Sequence, residues 1–260
     1  MCARIAMLSF VTSIIALSPF IACPAGAQGF EWPENPENLK VLPPGTGGAE
    51  LGSIMRGFAI SLGVRCEYCH VGEGPDLNEF DFPADDKPSK LKARVMLEMV
   101  AAINREHLAA LADIGDGASP TIEVTCVTCH RGNAKPVMLE DVLIEKIKSD
   151  GIDAAVAEYQ SLRKRYYGGF TYDFSDGLLT RLGVQLGEEG DLESAIRLIQ
   201  LEIEANGESA RAYFTLGRVQ AAAGLNDEAS TSFGKGMTIA PDNWKPRFKA
   251  ELEKISAGPN

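Results

Sequence analysis

Apolar residues recur at helical spacing over most of this chain. Leu51, Ile54, Met55, Phe58 and Leu62 lie at i, i+3, i+4, i+7 and i+11, one face of a helix over 50–62 that Gly63 would stop. Leu91, Val95, Met99 and Ile103 form a second stripe, with Met96 beside it. Ser89 is the expected N-cap of that helix, which should run to about residue 111 before Gly115 and Gly117 end it. The intervening segments differ. Residues 28–50 are rich in Pro and Gly and read as an extended lead-in, because Pro fixes φ and donates no hydrogen bond. Trp32, within that lead-in, reads as an ordinary surface anchor, with packing on the domain the weaker alternative. Residues 71–88 carry Glu73, Asp76, Glu79, Asp81, Asp85 and Asp86 among Pro75, Pro83 and Pro88. This acidic loop reads as solvated, with calcium binding the weaker alternative. Little of the chain alternates with period two, so few or no strands are expected.

Beyond about Val137 the helix formers return with a longer period. Leu179 pairs with Tyr213, Leu182 with Leu216, Gly183 with Gly217, Gly190 with Gly224, Ala195 with Ala229 and Ile199 with Phe233, each 34 residues apart. That is the period of a tetratricopeptide repeat, and Pro241 falls where such a repeat ends. The copy over 210–243 fits the pattern better than the copy over 176–209. A degenerate earlier copy is expected over 139–168, where Gly151 precedes a helix as Gly190 does. A helix from Trp244 to Ile255 would close the array. Two repeats alone are marginal, since about three are needed to bury a continuous core. This part should therefore lean on its flanking helices or on the segment before it.

The chemistry sits in two short strings, Cys66-Glu67-Tyr68-Cys69-His70 and Cys126-Val127-Thr128-Cys129-His130. Both read C-x-x-C-H, the attachment signature of a c-type haem. Two thiols at that spacing add across the two vinyl groups of one porphyrin, and the next residue's imidazole takes the iron from the proximal side. The alternative is a pair of disulfides or one zinc site. Zinc knuckles commonly stand about 15–20 residues apart, and the gap from Cys69 to Cys126 is much wider. Neither alternative explains a His directly after both pairs.

Composition limits the rest. The 260 residues suffice for one large or two small domains, and a hydrophobic content of 45% is that of a chain with a real core. With a net charge of −11 and no basic patch, a nucleic-acid partner is not expected. An acidic surface favours a basic partner. Residues 1–27 read as an export signal: Arg4 precedes the apolar stretch from Ile5 to Leu17, and Ala25-Gly26-Ala27 gives a small-x-small site before Gln28. Lipidation at Cys23 is the alternative, and would tie the chain to a membrane. Cleavage after Ala27 removes Cys2 and Cys23, so the four remaining cysteines all belong to the two motifs. The expected location is the periplasm.

Each iron has one further axial site, for which Met55, Met96, Met99 and His107 are the candidates. A thioether opposite His raises the potential, whereas a second imidazole would lower it. Met on an apolar helix face is most often packing, but here each helix leads into a haem motif. His107 reads as an ordinary histidine near a helix end, where the dipole suits it.

Several strings resemble the cytochrome c subunit of photosynthetic reaction centres and its smaller relatives. They are Asn38-Leu39-Lys40-Val41-Leu42-Pro43 through Met55 to Leu62-Gly63-Val64 and the first motif, Ala93-Arg94 through Met96-Leu97-Glu98-Met99 to Ile103-Asn104, and Val124-Thr125 through the second motif to Arg131-Gly132. The likeness covers about residues 36–137. It implies that each haem lies against the helix preceding its motif, and that a Met on that helix ligates the iron. Carried over by position, Met55 would serve the haem of His70 and Met96 that of His130, with Met99 as packing and no ligand role for His107. Those subunits carry four haems in two such halves, and this chain has one half.

The expected fold class is therefore mainly α. A signal over 1–27 is followed by a dihaem cytochrome c domain over 28–138 with few or no strands, then a tetratricopeptide-like helical-repeat domain over 139–260. The expected function is single-electron transfer rather than enzymatic turnover. Redox partner proteins would dock through the repeats, self-association is a second use for them, and membrane contact would come only through Cys23 or a partner. A peroxidase-like enzyme or a haem-based sensor is the alternative, and either would need one open iron.

Overall fold

A computed structural model of the chain describes residues 30–114 and 122–257. The expected export signal, Cys2, Cys23, Gly115 and Gly117 lie outside the described residues. Ten α-helices run through the described part: α1 Gly48–Leu62, α2 Pro88–Ala102, α3 Cys126–His130, α4 Leu139–Asp150, α5 Ile152–Tyr166, α6 Leu178–Glu188, α7 Leu192–Asn206, α8 Ala210–Ala222, α9 Asn226–Ile239 and α10 Lys245–Ala257. Among the described residues the only β pairing is an isolated antiparallel bridge between Val71 and Asp81. No described helix is long and apolar enough to cross a membrane.

Helix α1 ends where its sequence says it should. Gly63 takes φ 65, the left-handed region that a Cβ penalises. A Cβ there would also lie 2.0 Å from the Gly132 carbonyl oxygen. The Gly132 N–H in turn donates to the Ser61 carbonyl at 2.9 Å. The chain three residues before Cys66 is thus joined to the turn two residues after His130.

Three details differ from the sequence reading. Helix α2 begins at Pro88, with Lys87 at the N-cap position and no side-chain cap, because Pro suits the first helical turn, where a missing N–H costs nothing. Ser89 does not cap it, and its hydroxyl donates to the Tyr68 carbonyl instead. The helix also stops short of residue 111. It turns into a π segment over Ile103–Leu108 and a 3₁₀ turn over Ala109–Asp113. Trp32 is not a lone anchor: it stacks edge-on against Phe30 at 5.2 Å and lies so close to Gly52 that a Cβ there would overlap its ring.

The core is divided unevenly. Of the buried apolar side chains among the described residues, only Leu51 and Phe80 precede Leu139. Beyond that point α4, α5, α6 and α7 enclose Leu139, Leu143, Tyr159, Leu179, Leu182 and Leu198, and α8, α9 and α10 enclose Phe233 and Phe248. The 34-residue spacing recurs as packing. Gly183 admits Ile199 against α6, and Gly217 admits Phe233 against α8. Each small residue lets an antiparallel partner helix approach closely.

The two halves meet behind the second motif. The Thr171 hydroxyl donates to the Arg131 carbonyl at 2.6 Å, and the Asn133 amide donates to the Tyr172 hydroxyl at 2.7 Å.

Candidate haem-attachment sites

The first site is built from the end of α1 outward. After Gly63 the chain makes one 3₁₀ turn over Cys66–Tyr68, and the His70 N–H donates to the Cys66 carbonyl at 2.9 Å. Both thiols are free and half-buried. Burial pushes the Cys69 thiol above its ordinary range, opposed by a hydrogen bond with Ser89. Burial raises Cys126 likewise. Protonated thiols are poor nucleophiles and resist pairing with each other.

Met55, Phe58, Leu62, Cys66, Cys69 and His70 line one apolar cleft, closed on its other side by Ala93 and Leu97 of α2. Its cavity volume is about 140 Å³. The His70 Nδ1 lies 3.1 Å from the Phe82 carbonyl oxygen. That contact makes Nδ1 the protonated nitrogen and leaves Nε2 with its lone pair for a metal. Burial, with the Lys90 ammonium adding to it, holds the imidazole below its ordinary pKa. The neutral form, which ligates iron, is thus favoured.

The second site repeats this device with other residues. Thr125 and Thr128 form a reciprocal capping box that starts α3 on Cys126. Arg131 takes φ 48 and ends it. The His130 Nδ1 lies 2.9 Å from the Asn133 carbonyl oxygen, so Nε2 is again the free nitrogen. Asn104, in the π segment, clasps Val124: its amide donates to the Val124 carbonyl at 2.8 Å and its oxygen accepts from the Val124 N–H at 2.9 Å. Interruptions of this kind are frequent at functional sites. His107 lies in the same segment and is exposed.

Helix α2 forms one wall of the first cleft. Lys90, Ala93, Arg94 and Leu97 face the first cleft. Leu91, Val95 and Met99 lie on the opposite side by helical geometry, with Met96 flanking them, and all four are 42–58% exposed. No residue of α2 is buried. The structure therefore brings Met55 together with Cys66, Cys69 and His70, and leaves Met96 on an exposed apolar face. The segment 115–121, which leads towards the second motif, lies outside the described residues.

The donor chemistry of the first site fits a covalently held haem. One imidazole nitrogen, one thioether and two free thiols line an apolar cleft, and the imidazole is oriented through its other nitrogen. Among the described residues no three His, Cys, Asp or Glu side chains converge on a cation position.

The acidic loop is more ordered than its composition suggests. Phe80 and Phe82 stack at 5.5 Å, and Phe80 is buried. Asp85 accepts from both Arg94 nitrogens at 2.9 Å and from Asn38 at 3.0 Å. The Arg94 guanidinium, followed by Asn38, holds the Asp85 carboxyl well below the usual carboxylate range. A carboxyl depressed on folding contributes stability that is present above the ordinary pKa and lost as pH falls below it. Asp85→Asn should therefore flatten the loss of urea resistance below about pH 4. An unchanged acid slope in the variant would contradict the role given to this pair.

The residues that sequence reasoning missed act mostly through the backbone. The Phe82 and Asn133 carbonyls orient the two histidines, and Lys90 binds the first of those carbonyls. No side-chain spacing marks a carbonyl as an acceptor. The nearest signal is the pair of aromatics, Phe80 and Phe82, inside an acidic loop.

The chain is similar to known proteins over part of its length. Residues 48–145 match the family described as photosynthetic reaction centre cytochrome C subunit. The match opens on the first residue of α1 and runs into α4, so its end overlaps the expected repeat region. A photosynthetic reaction center cytochrome c subunit from Roseobacter denitrificans is 30% identical over 99 residues, covering 36% of this chain and 25% of that protein. Cytochrome c-554 from Chloroflexus aurantiacus is 32% identical over 117 residues, 45% of this chain and 25% of the relative. A reaction center cytochrome c subunit from Thermochromatium tepidum is 38% identical over 71 residues, 27% of this chain and 14% of the relative. The chain thus spans a quarter or less of the length of these curated relatives, and the family match over 48–145 includes both motifs.

Proposed function

We propose that this chain is an exported dihaem c-type cytochrome that carries single electrons between redox partners in the periplasm. The observation that supports it best is the recurrence of one device at both motifs. In each, two cysteines precede a histidine whose Nδ1 is held by a backbone carbonyl, at 3.1 Å for His70 and 2.9 Å for His130. A haem bound there supplies a one-electron iron couple. The chain's own residues do the rest. Cys66 and Cys69, and Cys126 and Cys129, fix the two groups covalently. His70 and His130 would hold the iron through Nε2, and Met55 and Met96 are the proposed sixth ligands. The sparse core before residue 139 and the exposed apolar face of α2 are consistent with porphyrin supplying the missing packing.

The helices from 139 onward we read as a tetratricopeptide-like domain that docks redox partners, because stacked helical pairs present extended surfaces of that kind. Membrane contact would come through lipidation at Cys23 or through a partner.

The test is an optical redox titration of the mature, exported protein. Two one-electron c-type waves are expected, with the far-red band of Met-ligated ferric haem. Met55→Ala and Met96→Ala should each remove that band from one haem and lower its potential. A high-spin haem that binds carbon monoxide in the unaltered protein would instead favour an open iron and a catalytic or sensing role. No haem absorbance from a host competent in maturation would sink the reading.

A further inference from the structure

We propose that Lys90 raises the reduction potential of the haem held by Cys66, Cys69 and His70, acting through the Phe82 carbonyl that it shares with His70. The inference rests on the haem reading above.

Lys90 reaches from α2 into the loop after the first motif. Its ammonium donates to three successive carbonyls, Phe82 at 2.8 Å, Pro83 at 2.9 Å and Ala84 at 2.7 Å. Its side chain is only 13% exposed. The first of those carbonyls is the one that accepts from the His70 Nδ1. An acceptor on the outer nitrogen of a metal-bound imidazole makes the ligand more basic and richer in electrons. A carbonyl that already accepts from an ammonium is a poorer acceptor for a second donor. The His70 ring therefore keeps its Nδ1 proton more fully and gives less electron density to iron.

The charge itself acts in the same direction, since a nearby cation in a partly buried site favours the ferrous state over the more positive ferric one. Asp85 tempers this at 3.1 Å from Lys90, but its oxygens also accept from Arg94, so the three side chains together remain cationic. The cleft as a whole is lined by Lys40, Arg65, Lys90 and Arg94 and by no carboxylate, in a chain whose net charge is −11.

The second site differs at this point. There the His130 Nδ1 meets the Asn133 carbonyl, which among the described residues accepts from no ammonium or guanidinium. The tuning is thus specific to one of the two sites.

Spectroelectrochemical titration of the full, haem-loaded chain tests this. Lys90→Gln should move one wave to lower potential, by at least a tenfold change in its ferrous-to-ferric ratio at fixed potential, which is 59 mV for one electron. The other wave should stay in place. The wave that moves should be the one that Met55→His also moves. Lys90→Arg, which keeps the charge, should leave both waves near their original positions. The proposal is overturned if Lys90→Gln leaves both waves unmoved, or if Lys90→Arg moves one as far as Lys90→Gln does. Loss of the far-red band in Lys90→Gln alone would make Lys90 a brace for ligation and overturn it too. A protein with no c-type spectrum would remove the haem reading and this proposal together, whereas two intact waves insensitive to Lys90→Gln would remove this proposal alone.

Discussion

Gly63→Ala should cost the chain about 3 kcal/mol or more of stability. Two effects add. The residue sits at φ 65, where any L side chain is strained by about 1–2 kcal/mol. Its new methyl would also lie 2.0 Å from the Gly132 carbonyl oxygen, and backbone cannot yield as a flexible side chain can. Relief requires α1 and the turn after His130 to separate, which breaks the 2.9 Å hydrogen bond from Gly132 to Ser61. Gly74→Ala separates the two effects. Gly74 also has positive φ, at 81, but open space where its Cβ would go, so only the strain is paid. Urea unfolding of both variants checks this. Equal losses would mean that the contact between the two motif regions contributes nothing.

The second large effect is expected in the helical half, at Glu202. This carboxylate is 1% exposed, and no described cation pairs with it. Its two oxygens accept from the Gly177 and Leu179 N–H groups at 2.9 and 2.8 Å and from the Asn206 amide at 2.7 Å. The first two are at the start of α6, where helical N–H groups lack intrahelical partners and the dipole favours negative charge. Glu202 thereby pins α7 to the beginning of α6. Arg163 extends the clasp to α5 by donating to the Asn206 side-chain oxygen at 3.0 Å and the Ala205 carbonyl at 2.9 Å. Glu202→Ala leaves one buried and two half-buried donors without their acceptor, for a loss of about 3 kcal/mol. Glu202→Gln keeps one acceptor oxygen but turns an NH₂ towards a backbone N–H, and should fall between. A loss below about 1 kcal/mol for Glu202→Ala would mean that water replaces the carboxylate at no cost.

What the sequence disclosed follows from the kind of contact involved. The face of α1, its stop at Gly63 and the two C-x-x-C-H strings are fixed by side-chain type at short spacing, and each is where the apolar pattern and the motif put it. The contacts of Gly183 with Ile199 and of Gly217 with Phe233 were legible as a recurrence because one small residue at a crossing demands one large partner. The early end of α2 was not, since the apolar stripe continues through Ile103 while the hydrogen-bond register changes beneath it. Ser89 was misassigned because a hydroxyl at a helix start can cap it or reach elsewhere, and Pro88 had already fixed where the helix begins. The carbonyls of Phe82 and Asn133 carry no residue signature at all. They become acceptors only once the chain has turned back on itself, across twelve residues in one case and three in the other.

On the proposed reading, the absence of any buried residue from α2 bears on how such a chain matures. The helices from Leu139 onward carry their own apolar partners. Among the described residues helix α2 has no such neighbour along its outer face, and on the proposed reading its partner is a prosthetic group delivered by other machinery. The two halves then run on separate clocks, one set by chain folding and the other by cofactor supply. A haem-starved cell would accumulate a particle finished at one end and loose at the other.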